Sequence, residues 1–430
     1  MWWRNNYFKI LVVVLIGATF VRSYELYKNY KVYDVYAEDE NQLRSLYKLS
    51  KENRKYDFLN LARRPEDTSK VLIAPEMNGE LRSALEMLQL NFTLIHDDIS
   101  QLILKERQEN LRNTPPQYPL DVFERYYRHD EINEHMEVLA KLYPSRVYVK
   151  TFGWSYERRP LKVMTITNGD KRNDKKVIFV DAAMHAREWI TPAMTLHIMS
   201  ELILNYENNK HLLDEYDWVI LPVVNADGYE YSHEEYRYWR KTRRPNPNHV
   251  GEGDEECYGT DPNRNFDHYW GWEEGASPDP CDETYHGEKA FSEPETQVVR
   301  DIMRTYRGRL MWYLTLHSYG NYILLPWGHT NELPENYFAM MDVADAGAMA
   351  IVMSTGGIYT YGNTYKVMYP TSGDSADYAV GAINVPISTC IEMPAGGFLG
   401  FDPPVRQIEQ IVVETWIGIR AMAEVVVDKY

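Results

Sequence analysis

Three residues of types that bind metals follow two apolar runs. His185 and Glu188 come shortly after Val177–Asp181, and His317 closes Leu310–Leu316. A catalytic zinc site takes three protein ligands from His, Glu or Asp and leaves a fourth position for water. A His-x-x-Glu spacing is also common in solvated turns, and a histidine at the end of an apolar strand is often a core residue. In combination, the three residues predict a metal site with an open position.

Several further charged or polar side chains occur at positions where a strand or loop could present them to a site. Arg240 lies in a loop-like stretch, Asn263 and Arg264 are adjacent, and Glu392 follows the apolar run Ile387–Ile391. A guanidinium fork is the natural receptor for a carboxylate. Each residue alone could instead be a surface charge, a loop cap or part of a salt bridge. As a set, they indicate a site for an anionic group beside a carboxylate at a strand end.

The elements that would position these residues alternate between strands and helices from about Tyr118 onward. This alternation is typical of an α/β domain, in which ligands bind at the carboxyl ends of the strands. Thr191 and Pro192 predict a helix start, with Thr as its cap, and 405–427 predicts a long amphipathic helix. The predicted strands are Val147–Thr151, Leu161–Thr167, Val177–Asp181, Trp218–Val224, Leu310–Leu316 and Ile387–Ile391.

The preceding segment, from Tyr24 to about Ile103, is organised differently. It alternates short strand-like and helix-like runs, which is typical of a small α+β unit with helices on one side of a sheet. Asn41 is the predicted cap of the first helix. The predicted strands are Tyr33–Tyr36, Val71–Ala74 and Asn91–Ile95, and the predicted helices are Asn41–Ser50 and Glu80–Leu88.

A charged connector, Lys105–Arg112, follows and runs into Asn113-Thr-Pro-Pro. Arg107 and Arg112 offer cleavage points to a trypsin-like protease, and the prolines are typical of a linker. By itself, this pattern favours an ordinary interdomain linker that is never cut.

The composition limits the classes of function. The chain has 430 residues, 44% of them hydrophobic, and a formal net charge of -17. An acidic protein gains nothing from counterion release, so nucleic acids and anionic membranes are not expected partners. Arg4 and Lys9 precede the apolar run Ile10–Phe20, which predicts a secretory signal cleaved near Ser23. A membrane anchor is the alternative, but the run is shorter than the about 20 residues that a spanning helix needs.

Secretion makes disulfides permissible, although the chain has only three cysteines. Cys257 and Cys281 lie in loop-like sequence and could close one loop, whereas Cys390 lies in an apolar run and is expected to be a buried free thiol. Asn91 begins an Asn-Phe-Thr sequon. It could be glycosylated, or it could belong to a strand that is never modified.

Together, these runs resemble the zinc carboxypeptidases of the pancreatic A/B type. The resemblance covers nearly the whole chain, and its stretches occur in the family's order. They are Met184–Ile190, Tyr238–Arg243, Asp261–Phe266, Ser277–Gly287, Thr315–Tyr319, Tyr369–Asp377 and Glu392.

The resemblance implies an α/β fold with a central mixed sheet flanked by helices, preceded by a small N-terminal α+β open sandwich. It implies a signal peptide at 1–23, a propeptide with its linker at 24–112 and a catalytic domain at 113–430. The propeptide would cover the active-site cleft, and the connector becomes an expected activation site for a trypsin-like protease. Cys257 and Cys281 match a pair that the family bridges.

The resemblance also implies roles in catalysis. His185, Glu188 and His317 would bind one zinc ion, and Glu392 would be the general base. Arg240 would stabilise the oxyanion. Asp261 would lie behind a zinc histidine and fix its tautomer. Substrate would be bound by residues that line the site or hold its terminal carboxylate: Arg187, Asn263, Arg264, Tyr319 and Tyr369.

The pocket for the departing side chain differs from the family pattern. Ala376 stands where family members carry a bulky aliphatic residue or an aspartate, and Asp374 stands where glycine is usual. Gly328 and Thr364, at further pocket positions, carry no charge. We therefore expect apolar or aromatic C-terminal residues to be favoured, with a Lys/Arg preference through Asp374 as the alternative. The loop Met393–Gly397 also departs from the family's usual sequence.

The expected protein is thus a secreted, extracellular and monomeric zymogen that acts on the C-termini of peptides and proteins. It is not expected to contact nucleic acid, or a membrane after signal cleavage. A catalytically silent binding protein on the same scaffold would be expected to lack a ligand or the general base, and none is missing. An endoprotease is disfavoured by the pair Asn263 and Arg264.

Overall fold

The protein is described by a computed structural model that covers residues 25–52, 56–65, 67–110, 116–246, 257–272 and 274–430. The predicted signal peptide and Arg112 lie outside these described residues. The described chain divides into two compact units. The first comprises residues up to 110 together with 233–237, and the second comprises the remaining residues.

The first unit is built on a four-stranded antiparallel sheet with the order β2-β3-β1-β4. Leu46, Leu81 and Leu85 of its helices are fully buried together with strand residues such as Val35 and Val71. Its elements are β1 (Lys31–Tyr36), α1 (Glu40–Glu52), β2 (Asp57–Asn60), β3 (Thr68–Ile73), α2 (Asn78–Met87), β4 (Asn91–His96) and α3 (Ser100–Glu109).

Two predictions for this unit are wrong in detail. Helix α1 begins one residue before Asn41, and its cap is Asp39, whose carboxylate accepts the backbone N–H groups of Asn41 and Gln42 at 2.8 Å each. The predicted linker is helical as far as Glu109, because α3 includes most of the charged connector. The strand β2 was not predicted, since it has only four residues.

The second unit contains an eight-stranded mixed sheet with the order β11-β10-β12-β9-β7-β8-β6-β5. Strands β8, β7, β9 and β12 are parallel neighbours at its centre. Every residue of β8 is buried, so both faces of the sheet are covered. This confirms the predicted central mixed sheet flanked by helices. The strands are β5 (Val147–Trp154), β6 (Pro160–Ile166), β7 (Lys176–Ala182), β8 (Tyr216–Leu221), β9 (Leu310–Ser318), β10 (Tyr322–Leu325), β11 (Thr360–Asn363) and β12 (Ile387–Met393).

The helices of the second unit pack against this sheet and against one another, as α5, α9 and α12 do. Helix α9 has the length and apolar composition to cross a membrane, yet it packs against α12, as a core helix of a globular domain does. The helices are α4 (His129–Leu142), α5 (Ile190–Ile203), α6 (Tyr206–Asn209), α7 (Ala226–Glu234), α8 (Pro294–Thr305), α9 (Tyr337–Thr355), α10 (Thr364–Val367), α11 (Ser375–Tyr378) and α12 (Val405–Lys429).

Candidate active site

The carboxyl ends of β7, β9 and β12 meet at one edge of the central sheet because the three strands are parallel neighbours. His185 and Glu188 lie in the turn that leaves β7, and His317 lies near the end of β9. Glu392, near the end of β12, is the direct register partner of His317. The sheet therefore brings together residues that are far apart in sequence.

Thr191 fixes the turn after β7, but it is not the helix cap, so that prediction is wrong. Helix α5 begins at Ile190, so Thr191 lies inside its first turn. Its buried hydroxyl accepts the N–H of Ala183 at 3.0 Å and donates to the carbonyl of Glu188 at 3.0 Å. The side chain thus closes the segment that carries His185 and Glu188.

His185, Glu188 and His317 are buried and each points one ligand atom at a common centre. The three ligand atoms lie within 4.8 Å of one another. Nδ1 of His185 is 2.7 Å from one oxygen of Glu188, and Nδ1 of His317 is 3.1 Å from the other. The two Nδ1 atoms are 3.1 Å apart, an approach that a shared cation would stabilise. Two imidazoles and a carboxylate form a donor set that fits zinc.

The charges of this cluster also suit a cation. Burial alone would raise the pKa of Glu188, but the imidazoles of His185 and His317 lower it below its usual range. Burial and the guanidinium of Arg240 lower the pKa of His185, which favours the neutral form that binds metals. Burial opposes the protonation of His317, yet Glu188 raises its pKa. An ionised Glu188 and a neutral His185 are the forms in which these side chains bind a metal.

Asp261 lies behind His185 and connects it to Arg240. One oxygen of Asp261 is 3.1 Å from Nε2 of His185, and the other accepts from Nε and Nη2 of Arg240 at 3.1 and 2.7 Å. Although burial opposes ionisation, Arg240 and His185 hold the pKa of Asp261 well below its usual range. An ionised Asp261 leaves the proton of His185 on Nε2 and directs Nδ1 to the metal centre.

Asn263 and Arg264 form a short 3₁₀ turn that Asp261 caps through the N–H of Asn263. Only 2% of Arg264 is exposed, and its Nε and Nη1 donate to the carbonyls of Gly275 and Asn263 at 2.6 and 2.8 Å. Within the described part of the chain, no carboxylate forms an ion pair with Arg264. The side-chain oxygen of Asn263 accepts the N–H of Ser375 at 3.0 Å, which ties this turn to α11.

The other predicted site residues fall into two groups. Tyr369 is 38% exposed, and although burial opposes it, Asp261 and next Tyr369 raise the pKa of Arg240. Arg187 and Tyr319 both contact Phe401, at 4.6 Å from guanidinium to ring centre and 4.8 Å between ring centres. Arg187 also donates to the carbonyl of Tyr238 at 3.2 Å. All of these residues belong to the second unit.

Of the predicted pocket residues, Asp374 lies close to Gly328. Asp374 is buried and caps α11 by accepting the N–H of Asp377 at 2.8 Å. Its other oxygen accepts the hydroxyl of Thr371 at 2.6 Å, and a Cβ atom built on Gly328 would lie 2.8 Å from that oxygen. Ala376 lies in the same helix. Glycine at 328 is required here, since a larger residue would collide with Thr371 as well.

Sequence reasoning missed Thr371, because nothing in the sequence marks a threonine as the partner of Asp374.

Thr364, another predicted pocket residue, donates its hydroxyl to the carbonyl of Leu325 at 2.9 Å. Cys257 and Cys281 form a disulfide, and Cys390 is a free thiol whose pKa is raised well above its usual range by burial. Cys390 and Glu392 lie two residues apart on β12 and so share one face of the sheet.

The sheet, its polar edge and the buried His–Glu–His cluster together define a metal-dependent hydrolase of the α/β class. Residues 132–418 match the family model for zinc carboxypeptidases, and residues 33–106 match the model for the carboxypeptidase activation peptide. The chain therefore belongs to the zinc carboxypeptidase family and is a peptide hydrolase that carries an activation propeptide.

Individual relatives agree with this assignment over nearly their whole length. The chain is 36% identical to carboxypeptidase B of Helicoverpa zea, covering 96% of this chain and 97% of that protein. It is 32% identical to carboxypeptidase A2 of Rattus norvegicus, covering 97% and 98%. The crystal structure of carboxypeptidase A from Helicoverpa armigera superposes with a TM-score of 0.86 at 30% identity and covers 94% of this chain and 98% of that one. Relatives thus include both A-type and B-type enzymes.

Proposed function

We propose that this chain removes single C-terminal residues from peptides, with one zinc ion held by His185, Glu188 and His317. The observation that carries the proposal is the convergence of these three ligand atoms within 4.8 Å at the sheet edge where Glu392 pairs with His317. When bound, zinc would polarise the scissile carbonyl and lower the pKa of a coordinated water to about 7. The remaining steps belong to the side chains of the protein.

Glu392 is the proposed general base. Its position beside His317 suits it to accept a proton from the attacking water and to pass that proton to the leaving amine. Arg240, held by Asp261, would face the negative charge that develops on the carbonyl oxygen. Loss of one such preorganised donor typically costs about 2.7–4 kcal/mol of transition-state stabilisation.

Exopeptidase action follows from Arg264. A buried guanidinium without a carboxylate partner is unfavourable, so a substrate that supplies a C-terminal carboxylate gains the interaction. Asn263 lies beside Arg264, and Tyr369 contributes to the raised pKa of Arg240 after Asp261. Tyr369 and Asn263 would complete the carboxylate site, while Arg187 and Tyr319 would line the cleft. Peptides with amidated C-termini are therefore expected to be poor substrates.

The decisive test replaces Glu392 by Gln in the activated enzyme. The variant should bind one zinc ion but lose about 10²- to 10⁴-fold in kcat/KM, which is the usual contribution of a general base. Glu409→Gln, an exposed acid on α12, serves as the control and should keep full activity. Atomic absorption and hydrolysis of free and amidated peptides measure both properties. Unchanged activity in Glu392→Gln, or equal cleavage of amidated peptides, would contradict the proposal.

The order of segments supports a secreted zymogen. We propose that residues 1–23 are a signal peptide, that 24–112 form the propeptide and that 113–430 form the catalytic domain. A trypsin-like protease would release the propeptide, and the mature protein would act as an extracellular monomer. The match of 33–106 to the activation-peptide model supports this arrangement.

For specificity we propose a preference for apolar or aromatic C-terminal residues. Both oxygens of Asp374 already accept hydrogen bonds, from Thr371 and from the N–H of Asp377, and Ala376 brings no charge. The alternative is a Lys/Arg preference, which is favoured by the close approach of Asp374 to Gly328. An ionised carboxylate keeps free lone pairs, so it could still bind a basic side chain.

A panel of blocked dipeptides ending in Phe, Leu, Lys, Arg and Glu separates these readings. The parent enzyme should cleave Phe and Leu substrates fastest, and Asp374→Gly should leave that order unchanged. Asp267→Gly, at an exposed aspartate, is the matched control. A Lys/Arg preference that Asp374→Gly abolishes would establish the alternative.

A further inference from the structure

The second unit contains a cleft that the proposed reaction does not use. It has a volume of about 460 Å³, within the range of about 300–1,000 Å³ typical of small-ligand pockets. None of the candidate site residues lines it. Trp327 and His329, which flank Gly328, form one wall, and residues from the loop after Arg264 form the other.

Aromatic rings dominate the walls of this cleft. Four of its lining residues are tyrosine or tryptophan: Tyr269, Trp272, Trp327 and Tyr365. Tyr269 and Trp272 are 50% and 53% exposed, so their faces are accessible from the cleft. A ligand in the cleft could therefore contact the faces of both rings.

The rings are held in place by contacts with one another. Tyr269 stacks on His329 with ring centres 3.8 Å apart and planes 15° apart. Trp272 meets Tyr269 edge-on at 5.7 Å, and Trp327 stacks on His268 at 5.1 Å. His329 is anchored by Asp377, whose carboxylate is 2.7 Å from Nδ1 of its ring. The walls are therefore organised before any ligand arrives.

The charge of the cleft is negative. Glu274 and Glu332 contribute carboxylates, and Glu274 is oriented by the hydroxyl of Tyr365 at 3.1 Å. Burial lowers the pKa of both His268 and His329, which disfavours the positively charged form of each ring. Among the described residues that line the cleft there is no lysine or arginine.

Aromatic faces beside carboxylates attract organic cations through cation–π and ionic interactions. A bare metal ion fits less well. Among the residues that the structure describes, the only group of three His, Cys, Asp or Glu with ligand atoms within 4.8 Å is His185, Glu188 and His317. We propose that this aromatic cleft binds an organic cation, a guanidinium or alkylammonium group.

The test titrates the full-length protein with acetyl-arginine amide and with acetyl-citrulline amide, its neutral isostere, by calorimetry or tryptophan fluorescence. Neither probe has a free carboxylate, so the result does not depend on Arg264 or on catalysis. The arginine probe should bind at least about fivefold more tightly. Trp272→Ala should weaken binding about threefold to thirtyfold, the range that one cation–π contact allows.

Matched controls separate the cleft from general acidity. The double variant Glu274→Gln and Glu332→Gln should weaken the arginine probe, whereas Glu335→Gln, at an exposed acid outside the cleft, should not. Tyr156→Ala, at another exposed ring, should also leave binding unchanged. Equal binding of the two probes, or binding that Trp272→Ala does not alter, would overturn the proposal.

Two further probes distinguish the source of the cation. If tetramethylammonium saturates the cleft and displaces acetyl-arginine amide, a free small cation is sufficient for binding. A blocked peptide with one central arginine that binds about tenfold more tightly than acetyl-arginine amide would identify a side chain of a longer peptide. Failure of both probes to compete would count against the site. Removal of zinc should change none of these results, because the cleft does not include the proposed zinc ligands. The cation-binding proposal can therefore be wrong while the proposed function is correct.

Discussion

Asp261 serves two neighbours that the proposed reaction uses in different ways. Its carboxylate orients His185, a proposed ligand, and also holds the guanidinium of Arg240 at 2.7 Å. Because Arg240 and His185 keep the pKa of Asp261 far below its usual range, the carboxylate stays ionised at any pH where the enzyme would work. Asp261 is thus a positioning residue whose loss should disturb metal binding and oxyanion stabilisation together.

We predict that Asp261→Asn weakens zinc binding about 10- to 100-fold, the usual effect of removing a hydrogen-bond partner of a metal-bound histidine. The amide can no longer stabilise the proton on Nε2 of His185 as an anion does. Competition with a chelator measures the affinity, and kcat/KM at saturating zinc reports the separate effect through Arg240. Asp267→Asn, at an exposed position, is the control. Zinc affinity equal to that of the parent would show that Asp261 does not orient the ligand.

At the scale of elements, the turn between β7 and α5 sets the geometry of the cluster. Glu188 lies three positions after His185, and the backbone around these two residues is closed by the hydroxyl of Thr191. A polar N–H buried without a partner costs about 1–3 kcal/mol, so the hydroxyl stabilises the turn by satisfying Ala183.

Thr191→Val should therefore lower the stability of the second unit by about 1–3 kcal/mol, because valine keeps the shape but leaves the N–H of Ala183 unpaired. Thr191→Ser keeps the hydroxyl and should therefore retain most of the stability of the parent protein. Thermal unfolding of the apo and zinc-loaded proteins provides the measurement, and Thr305→Val, at an exposed helix end, provides the control. If Thr191→Val melts at the same temperature as the parent, water or another group must satisfy this turn.

The sequence predicted the central strands closely because their apolar runs are long and buried on both sides. Strand β7 was predicted as Val177–Asp181 and is Lys176–Ala182, and β12 extends two residues beyond the prediction to include Glu392. The edge strand β11 and its neighbour β10 have only four residues each, too few for a periodic signal. Positions of polar residues at strand ends therefore could be predicted from the sequence, whereas the hydrogen bond between Thr371 and Asp374 could not.

The main error was the prediction of a linker at Lys105–Arg112, and its cause is tertiary structure. Glu106 and Arg107 look like solvated linker charges, yet both are buried. Glu106 forms an ion pair with Arg237 at 2.7 Å, and Arg107 donates to the carbonyls of Glu234 and Glu235 at 3.0 and 3.2 Å. These partners are about 130 residues away in sequence, so no local pattern could predict that helix α3 continues to Glu109.

At the scale of the whole molecule, proteolytic activation must select among basic residues at the end of the propeptide. A protease binds its substrate as an extended, accessible segment, and helical, buried residues resist cleavage. Arg107 lies in α3 and is only 7% exposed. Of the two cleavage points that the sequence suggested, Arg112 is therefore the better candidate, since it follows the end of that helix.

We predict that limited trypsin treatment releases a propeptide ending at Arg112, so Arg112→Gln should slow the appearance of carboxypeptidase activity at least about tenfold. Arg107→Gln should leave the activation rate unchanged, because the parent is not cut there. Mass spectrometry of the released fragment identifies the cleaved bond, and a chromogenic peptide assay follows activity over the same time course. A fragment ending at Arg107 would contradict this prediction and would mean that α3 unfolds before cleavage. The rate of activation would then depend on the stability of the Glu106–Arg237 ion pair. In that case Glu106→Gln, which weakens the ion pair, would speed activation.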